Sequence, residues 1–117
     1  MESIIWTLIS TPSGLQKWLA DKVEEHERSL TFTWGNPADV HEMRTADIVQ
    51  LIKNNLIRMR WQDEENPEAY WEIKMAKSEL TNDYILEVTD YALPEDMDDL
   101  KDIWQQNFEE LHRSTGL

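Results

Sequence analysis

Large aromatic and apolar side chains are the residues of this chain whose types and spacing could form a binding site. The sequence has 117 residues, among them six tryptophans, three tyrosines and two phenylalanines. Several of these rings fall on positions predicted to face inward, and small-molecule pockets are mostly apolar with few polar groups. The candidate ligand-binding residues are Trp34, Met59, Trp61, Trp71, Ile73, Leu86, Trp104 and Phe108.

The alternative for the same side chains is a solid core. A small domain has few large residues to spare, and five methionines can close irregular gaps between them. Bulky side chains also shrink cavities, so the tryptophan content favours a filled interior. A ligand site therefore requires a connected cavity of about 300 Å³ or more.

The three histidines, His26, His41 and His112, are weak candidates for a metal or catalytic site. The chain has no HxH or HExxH spacing. His26 and His41 are flanked by glutamates, so a pair across adjacent strands is conceivable, but charged strand edges are usually solvated. The sequence has no cysteine, which excludes disulfides, thiolate metal sites and a cysteine nucleophile. We expect neither a metal nor another cofactor.

Acidic clusters at residues 63–68 and 95–102 could bind a cation or perform acid–base chemistry. A calcium loop needs a central glycine, which neither cluster contains. Acid–base catalysis needs burial to shift the pKa of one carboxyl, whereas runs this dense are normally exposed. The chain also lacks a Ser–His–Asp order, a phosphate-binding glycine loop and a nucleophile elbow. We therefore expect a protein that is not an enzyme.

Basic residues concentrate in the one segment with a net positive charge, residues 38–62. This segment contributes Arg44, Lys53, Arg58 and Arg60. Arg58 and Arg60 alternate with apolar residues and should point outward, and Arg44 is expected to join them. The group could bind a small anion or a partner. Ion pairs with acids on neighbouring strands, such as Glu72 or Glu87, are the more ordinary explanation.

The net charge of −13 excludes several classes of partner. Nucleic-acid binders need clustered lysine and arginine, and an anionic membrane surface repels an acidic protein. No run of about 18 apolar residues could span a membrane, and the N-terminus does not resemble a signal peptide. We expect a cytoplasmic protein with neither a nucleic-acid nor a membrane partner.

Apolar periodicity predicts the elements that must hold these residues. Thr11 and Pro12 are suited to an N-cap and a first helical position, so the chain opens with two short helices joined at Ser10–Thr11. Period-two alternation then predicts strands around 30–34, 57–61, 71–75 and 84–88, with 38–52 as a long or broken strand. An amphipathic helix is predicted over residues 94–114.

This order predicts an α+β fold, in which the long helix lies across one face of an antiparallel sheet. The chain has three glycines and four prolines, with no linker and no repeat. Residues 1–117 should therefore form a single domain.

Four strings and one spaced motif carry a family resemblance. The strings are IIWTLISTPSGLQKWLADKV, LTFTW, LIRMRW and IWQQNFEELHR, and the motif is Thr-Pro-x-Gly-Leu-x-x-Trp, from Thr11 to Trp18. With the late Trp104, they resemble a compact bacterial START-like domain. This group belongs to the helix-grip superfamily, which includes birch-pollen allergens, polyketide cyclases and homologues of the heat-shock ATPase activator.

The resemblance implies a curved antiparallel sheet wrapped around the C-terminal helix, often with a cavity between them that binds an apolar ligand. It also implies a β-strand before the two short helices, whereas this sequence begins at the first helix. We therefore expect an open sheet edge, covered by a segment upstream of Met1 or by a partner chain. A monomer and a homodimer both stay open.

Three functions follow from these observations, in order of preference. The first is a non-enzymatic START-like module for a small apolar or lipid-like ligand. The second is a co-chaperone-like interaction module that docks a basic protein through its acidic C-terminal part, since residues 63–117 hold 16 of the 24 acidic and 4 of the 11 basic residues. The third, a cyclase or hydratase, lacks identifiable catalytic residues.

Overall fold

Two short helices lead into a six-stranded sheet, and one long helix ends the chain. A computed structural model describes residues 1–117. The helices are α1 (Glu2–Ser10), α2 (Pro12–Leu15) and α3 (Met97–Thr115), the last preceded by a 3-10 turn at Pro94–Asp96. The strands are β1 (Lys22–His26), β2 (Ser29–Gly35), β3 (His41–Ile52), β4 (Leu56–Trp61), β5 (Trp71–Lys77) and β6 (Tyr84–Thr89). Each strand pairs antiparallel with the next, which confirms the predicted α+β class.

The junction between α1 and α2 explains the Thr-Pro-x-Gly motif. The hydroxyl of Thr11 accepts a hydrogen bond from the backbone N–H of Gly14 at 3.0 Å, as an N-cap does. Gly14 lies so close to α1 that an added Cβ would stand 2.0 Å from the carbonyl oxygen of Thr7. The indole of Trp18 then donates to the carbonyl of Leu8 at 2.9 Å, which fixes the segment after α2 against α1.

The core lies between the two N-terminal helices and the inward face of the sheet. Its sixteen residues are Ile5, Leu8, Ile9, Leu15, Trp18, Leu19, Val23, Leu30, Phe32, Ala46, Ile57, Met59, Trp71, Ile73, Met75 and Leu111. The strand members follow the predicted alternation on β2, β4 and β5. Apolar burial on this face supplies the main driving force for folding.

Helix α3 is gripped along only part of its length. Leu111, near its C-terminal end, is 6% exposed, and Trp104 and Phe108 are half-buried, whereas Ile103 is 53% and Met97 44% exposed. The apolar stripe of α3 predicts contact with the sheet throughout, and the structure shows that its N-terminal half instead borders open space. Neither α3 nor the shorter helices combine the length and hydropathy of a membrane-spanning helix.

Two irregularities interrupt the sheet where the sequence indicates them. Of the two predicted alternatives for residues 38–52, the structure has the long strand, and β3 contains a bulge where its register shifts between Ile48 and Gln50. Asn54 and Asn82 have φ angles of 61° and 63° at the predicted turns, a conformation that asparagine tolerates. Strand β1 is not predicted, because Val23 is its only buried residue and no alternation is visible.

The two edge strands of the sheet, β1 and β6, are protected unequally. On β1, flanking charged residues surround Val23, whose backbone N–H donates to the side-chain oxygen of Gln16 at 2.9 Å. On β6, Ser78 N–H donates to the Asp83 carbonyl at 2.7 Å at the mouth of the hairpin. Hydrogen-bonded and non-hydrogen-bonded pairs alternate along an antiparallel ladder. Counted from the bonded pair Ser78–Asp83, Tyr84, Leu86 and Val88 belong to non-hydrogen-bonded pairs, so their backbone N–H and C=O groups point away from β5.

Candidate functional site

A cleft opens between the inward face of the sheet and the N-terminal half of α3. Its volume is about 380 Å³, within the range of small-molecule sites, and one side is open to solvent. The residues that line it are Leu19, Phe32, Trp34, Glu42, Arg44, Trp61, Trp71, Asp90, Leu100, Ile103, Trp104, Gln106 and Asn107. The cleft is therefore apolar along most of its walls, with a few charged and amide groups.

Aromatic rings form a continuous wall on the sheet side of the cleft. The rings of Trp61 and Trp71 are stacked with centroids 5.1 Å apart, and Phe32 meets both edge-on at 5.5 and 5.7 Å. Trp104 extends the wall onto α3, with its centroid 6.1 Å from that of Trp71. These distances are typical of favourable aromatic pairs, so the rings hold each other in place.

Asp90 is a half-buried carboxylate that lines the cleft. It directly follows β6, and its Oδ2 accepts a hydrogen bond from the indole Nε1 of Trp104 at 2.8 Å. Its Oδ1 accepts from the backbone N–H of Tyr91 at 2.7 Å. Burial raises the pKa of Asp90, against the effect of these two hydrogen bonds and of the charge on Arg44.

Arg44 lines the cleft and does not point outward as its sequence context predicts. It lies opposite Phe32 in the β2–β3 register, on the inward side that Ala46 shares. Its guanidinium is 4.1 Å above the ring of Trp61 and donates two hydrogen bonds to Asp63, at 2.8 and 3.2 Å. The hydrogen bond from Arg44 lowers the pKa of Asp63.

Arg58 and Arg60 lie outside the cleft lining, and only Arg58 forms the expected cross-strand ion pair. Arg58 stands opposite Glu72 in the β4–β5 register and pairs with its carboxylate at 2.8 Å, so cross-strand pairing accounts for it. Arg60 donates to the backbone carbonyls of Asn66, Pro67 and Ala69 in the loop between β4 and β5. Neither guanidinium lines the cleft.

The structure divides the eight candidate ligand-binding residues among three places. Four of them line the cleft: Trp34, Trp61, Trp71 and Trp104. Met59 and Ile73 are fully buried in the core and do not reach the cleft. Leu86 and Phe108 line a second groove, of about 560 Å³, between α1, β6 and α3.

The sequence patterns above do not single out Asp90 or Glu42, and they place Arg44 on the outward face, although a signal for the inward position of all three exists. Asp90 continues the even-numbered alternation of Tyr84, Leu86 and Val88, which places an acid at an inward position. Glu42 and Arg44 occupy even positions on β3 in the same way. An ionisable residue that continues an inward-facing series is therefore the pattern that identifies this site.

The histidines are not brought together. His26 pairs with Ser29 at one end of β2, and His41 pairs with Gly35 at the other end, so the conceivable pair across adjacent strands does not form. The structure contains no group of three or more histidine, aspartate and glutamate side chains arranged to hold a metal ion.

Comparisons with known proteins place this architecture in a family. The model of the START-like superfamily domain matches residues 1–117. The protein BfR322 from Bacteroides fragilis, solved by solution NMR, is 44% identical, with a TM-score of 0.61 over 94% of this chain and 78% of its own. No curated protein matches the sequence significantly.

More distant structures share the fold alone. The structure titled as the Aha1 dimer from Colwellia psychrerythraea is 15% identical, with a TM-score of 0.67 over 98% of this chain and 88% of that one. The protein SSP2350 from Staphylococcus saprophyticus is also 15% identical, with a TM-score of 0.66 over 99% and 84%. The family match over every residue and the 44% identity of BfR322 carry the conclusion: this chain belongs to the START-like superfamily.

Proposed function

We propose that this START-like domain binds a small, mostly apolar molecule in the cleft between the sheet and α3. The observation that carries the proposal is the separation of two apolar surfaces. Leu100 and Ile103 on α3 face the aromatic wall of the sheet across an open volume of about 380 Å³. Each Å² of apolar surface removed from water contributes ~25 cal/mol, so a ligand that fills this space gains affinity from both walls.

The lining supports binding rather than catalysis. Its carboxylates are Glu42 and Asp90, and its one basic group is Arg44. Asp90 already accepts hydrogen bonds from Trp104 and Tyr91, and Arg44 is held by Asp63. The polar groups already have partners within the protein, which favours a role in orienting a ligand.

Filling the cleft with a side chain tests the proposal. The probe is 1-octanol, and binding is measured from the tryptophan indole signals in NMR spectra. Ile103→Trp should abolish octanol binding, because Ile103 lines the cleft and is exposed enough to accept a larger ring. Met97→Trp is the matched control on the same helix, since Met97 is similarly exposed but does not line the cleft. Binding that survives Ile103→Trp would contradict the proposal.

The acidic surface of α3 supports a second candidate function, docking of a basic protein. Asp98, Asp99 and Asp102 are all exposed and none forms an ion pair. Aha1 from Colwellia psychrerythraea, which shares this fold, was solved as a dimer. A partner held by this surface should dissociate as salt rises, and replacing all three aspartates by asparagine should prevent its capture. A partner that stays bound in high salt would argue against this function.

A further inference from the structure

Asp90 is a half-buried carboxylate with no cation partner. Trp104 and Tyr91 each occupy one of its oxygens, and each carboxylate oxygen can accept a second hydrogen bond. Asp90 takes part in none of the four ion pairs of the molecule. A charge withdrawn from water in this way is unfavourable unless it is paired, so the site is better satisfied when a cation enters the cleft.

Arg44, the only basic residue of the cleft, does not satisfy that need. Its guanidinium is committed to the carboxylate of Asp63 and to the face of Trp61. Glu42 also lines the cleft, and the charge of Glu64 acts on Asp90 from the loop between β4 and β5. The immediate surroundings thus hold one positive charge and four negative ones, which disfavours an anionic ligand.

The aromatic wall is suited to the same kind of ligand. The face of a tryptophan ring attracts cations, and the position of Arg44 at 4.1 Å from the Trp61 centroid is an instance within this cleft. Trp34, Trp71 and Trp104 line the cleft without a cation above them. Trp34 and Trp104 are only partly buried, so their rings remain accessible to a ligand in the cleft.

We propose that the cleft selects an amphiphilic organic cation, whose apolar chain lies against the tryptophans and whose protonated amine donates to Asp90. The inference rests on the proposed function and adds the charge of the ligand to it. An alkyl or arylalkyl amine meets both requirements. The apolar chain supplies affinity, and the amine supplies selectivity against neutral and anionic molecules of the same shape.

Three probes with one chain length separate charge from apolar contact: octylammonium, 1-octanol and octanoate. Octylammonium should bind roughly tenfold tighter than octanol or better, since a hydrogen bond to a charged group contributes enough for such a factor. Octanoate should bind more weakly than octanol. The dissociation constants are measured from the indole NMR signals and by calorimetry at low ionic strength.

Asp90→Asn should remove the preference for octylammonium, so that the dissociation constants of octylammonium and octanol become similar in this variant. Asparagine has one oxygen, which can replace the acceptor of Trp104, while its NH2 group then lies toward the Tyr91 N–H. The NMR spectrum of the variant therefore checks that it is folded. Asp102→Asn is the control, because it deletes one negative charge from the exposed side of α3 outside the cleft. It should preserve most of the preference.

A pH series gives a second test that needs no variant. The preference of the wild-type protein for octylammonium over octanol should decline as the pH falls and Asp90 becomes protonated. Glu42, Asp63 and Glu64 surround the same region, so the series is repeated on Asp90→Asn, in which any residual change comes from them.

The outcomes distinguish the two proposals. If octanol does not bind, the proposed function itself fails. If octanol binds and octylammonium binds no tighter, the inference about the cation is overturned and the proposed function stands. Octanoate as the tightest ligand would also overturn it, and would assign the head group to Arg44 instead. A preference that persists in Asp90→Asn would show that Asp90 is not its cause.

Discussion

The indole nitrogen of Trp104 donates a hydrogen bond to Oδ2 of Asp90 at 2.8 Å. This bond joins the middle of α3 to the residue that follows β6, at the point where the helix leaves the sheet. Toward the C-terminus Leu111 is buried, and toward the N-terminus Ile103 is 53% exposed. The pair therefore marks the boundary between the packed half of α3 and the cleft, which both residues line.

Replacing Trp104 by phenylalanine should lower the free energy of unfolding by about 1–3 kcal/mol, because Asp90 loses a donor while half-buried. Urea denaturation measures the change. Trp6→Phe is the matched control, since Trp6 is also half-buried but its indole nitrogen makes no hydrogen bond. Equal losses in both variants would mean that ring size, and not the bond to Asp90, accounts for the effect.

The stability of the fold should depend on pH through Asp90. Because burial raises the pKa of Asp90 in the folded state, its protonation stabilises the fold. That contribution is complete below the ordinary value of 3.8 and is lost as the pH rises through the raised pKa. The unfolding free energy of the wild type, minus that of Asp90→Asn, should therefore fall as the pH rises from about 3 to about 7.

Asp63→Asn provides a control with the opposite sign. The hydrogen bond from Arg44 lowers the pKa of Asp63, so ionised Asp63 stabilises the fold and the contribution is lost as the pH falls through the lowered pKa. The difference between the wild type and Asp63→Asn should grow with pH, though weakly, because this pair is largely exposed. If both differences in unfolding free energy changed with pH in the same direction, the opposite pKa shifts assigned to Asp90 and Asp63 would be contradicted.

Gly14→Ala should destabilise the protein by about 1–3 kcal/mol or more, because the new Cβ would collide with the backbone of Thr7 and Leu8. Thermal unfolding checks it. Gly116→Ala separates collision from backbone strain, since Gly116 has a φ of 76° and no atom within 4 Å of its added Cβ. Gly116→Ala should lower the free energy of unfolding by about 1 kcal/mol. A loss at Gly14 no larger than at Gly116 would rule out the close approach of α1 and α2.

Arg60→Met should loosen the loop between β4 and β5, because Arg60 donates to three carbonyls there, those of Asn66, Pro67 and Ala69. Amide hydrogen exchange over residues 64–70 should accelerate while that of the strands stays slow. Lys74→Met removes the same charge from the same face of the sheet, where Lys74 forms no ion pair. Equal acceleration in both variants would indicate an effect of charge alone.

Most of the architecture can be predicted from the sequence because its signals are local. Alternation identifies β2, β4, β5 and β6, and Thr11 with Pro12 identifies the start of α2. The START-like resemblance is confirmed by the family match over the whole chain. Strand β1 is the exception, since it exists through pairing with β2 and contains one buried residue.

The cleft is harder to predict because it depends on where α3 ends its contact with the sheet. An apolar stripe is the same in sequence whether it packs on a partner or borders a cavity, so Ile103 and Leu111 cannot be told apart in advance. Arg44 and Asp90 come from distant parts of the chain and meet only in the folded protein. Asp90 continues the inward alternation of β6, whereas the weak pattern of residues 38–52 predicts an outward Arg44, and neither pattern shows that the two residues line the same cleft.

The unequal edges of the sheet give the net charge of −13 a role in colloidal stability. The outward backbone groups of β6 are a template on which another strand can pair, whereas β1 is blunted by charge and by Gln16. Copies of so acidic a protein repel each other in dilute buffer, and at about 0.1 M salt that repulsion is screened beyond roughly 10 Å. Rising ionic strength should therefore favour aggregation through β6 while the folded monomer keeps its conformational stability.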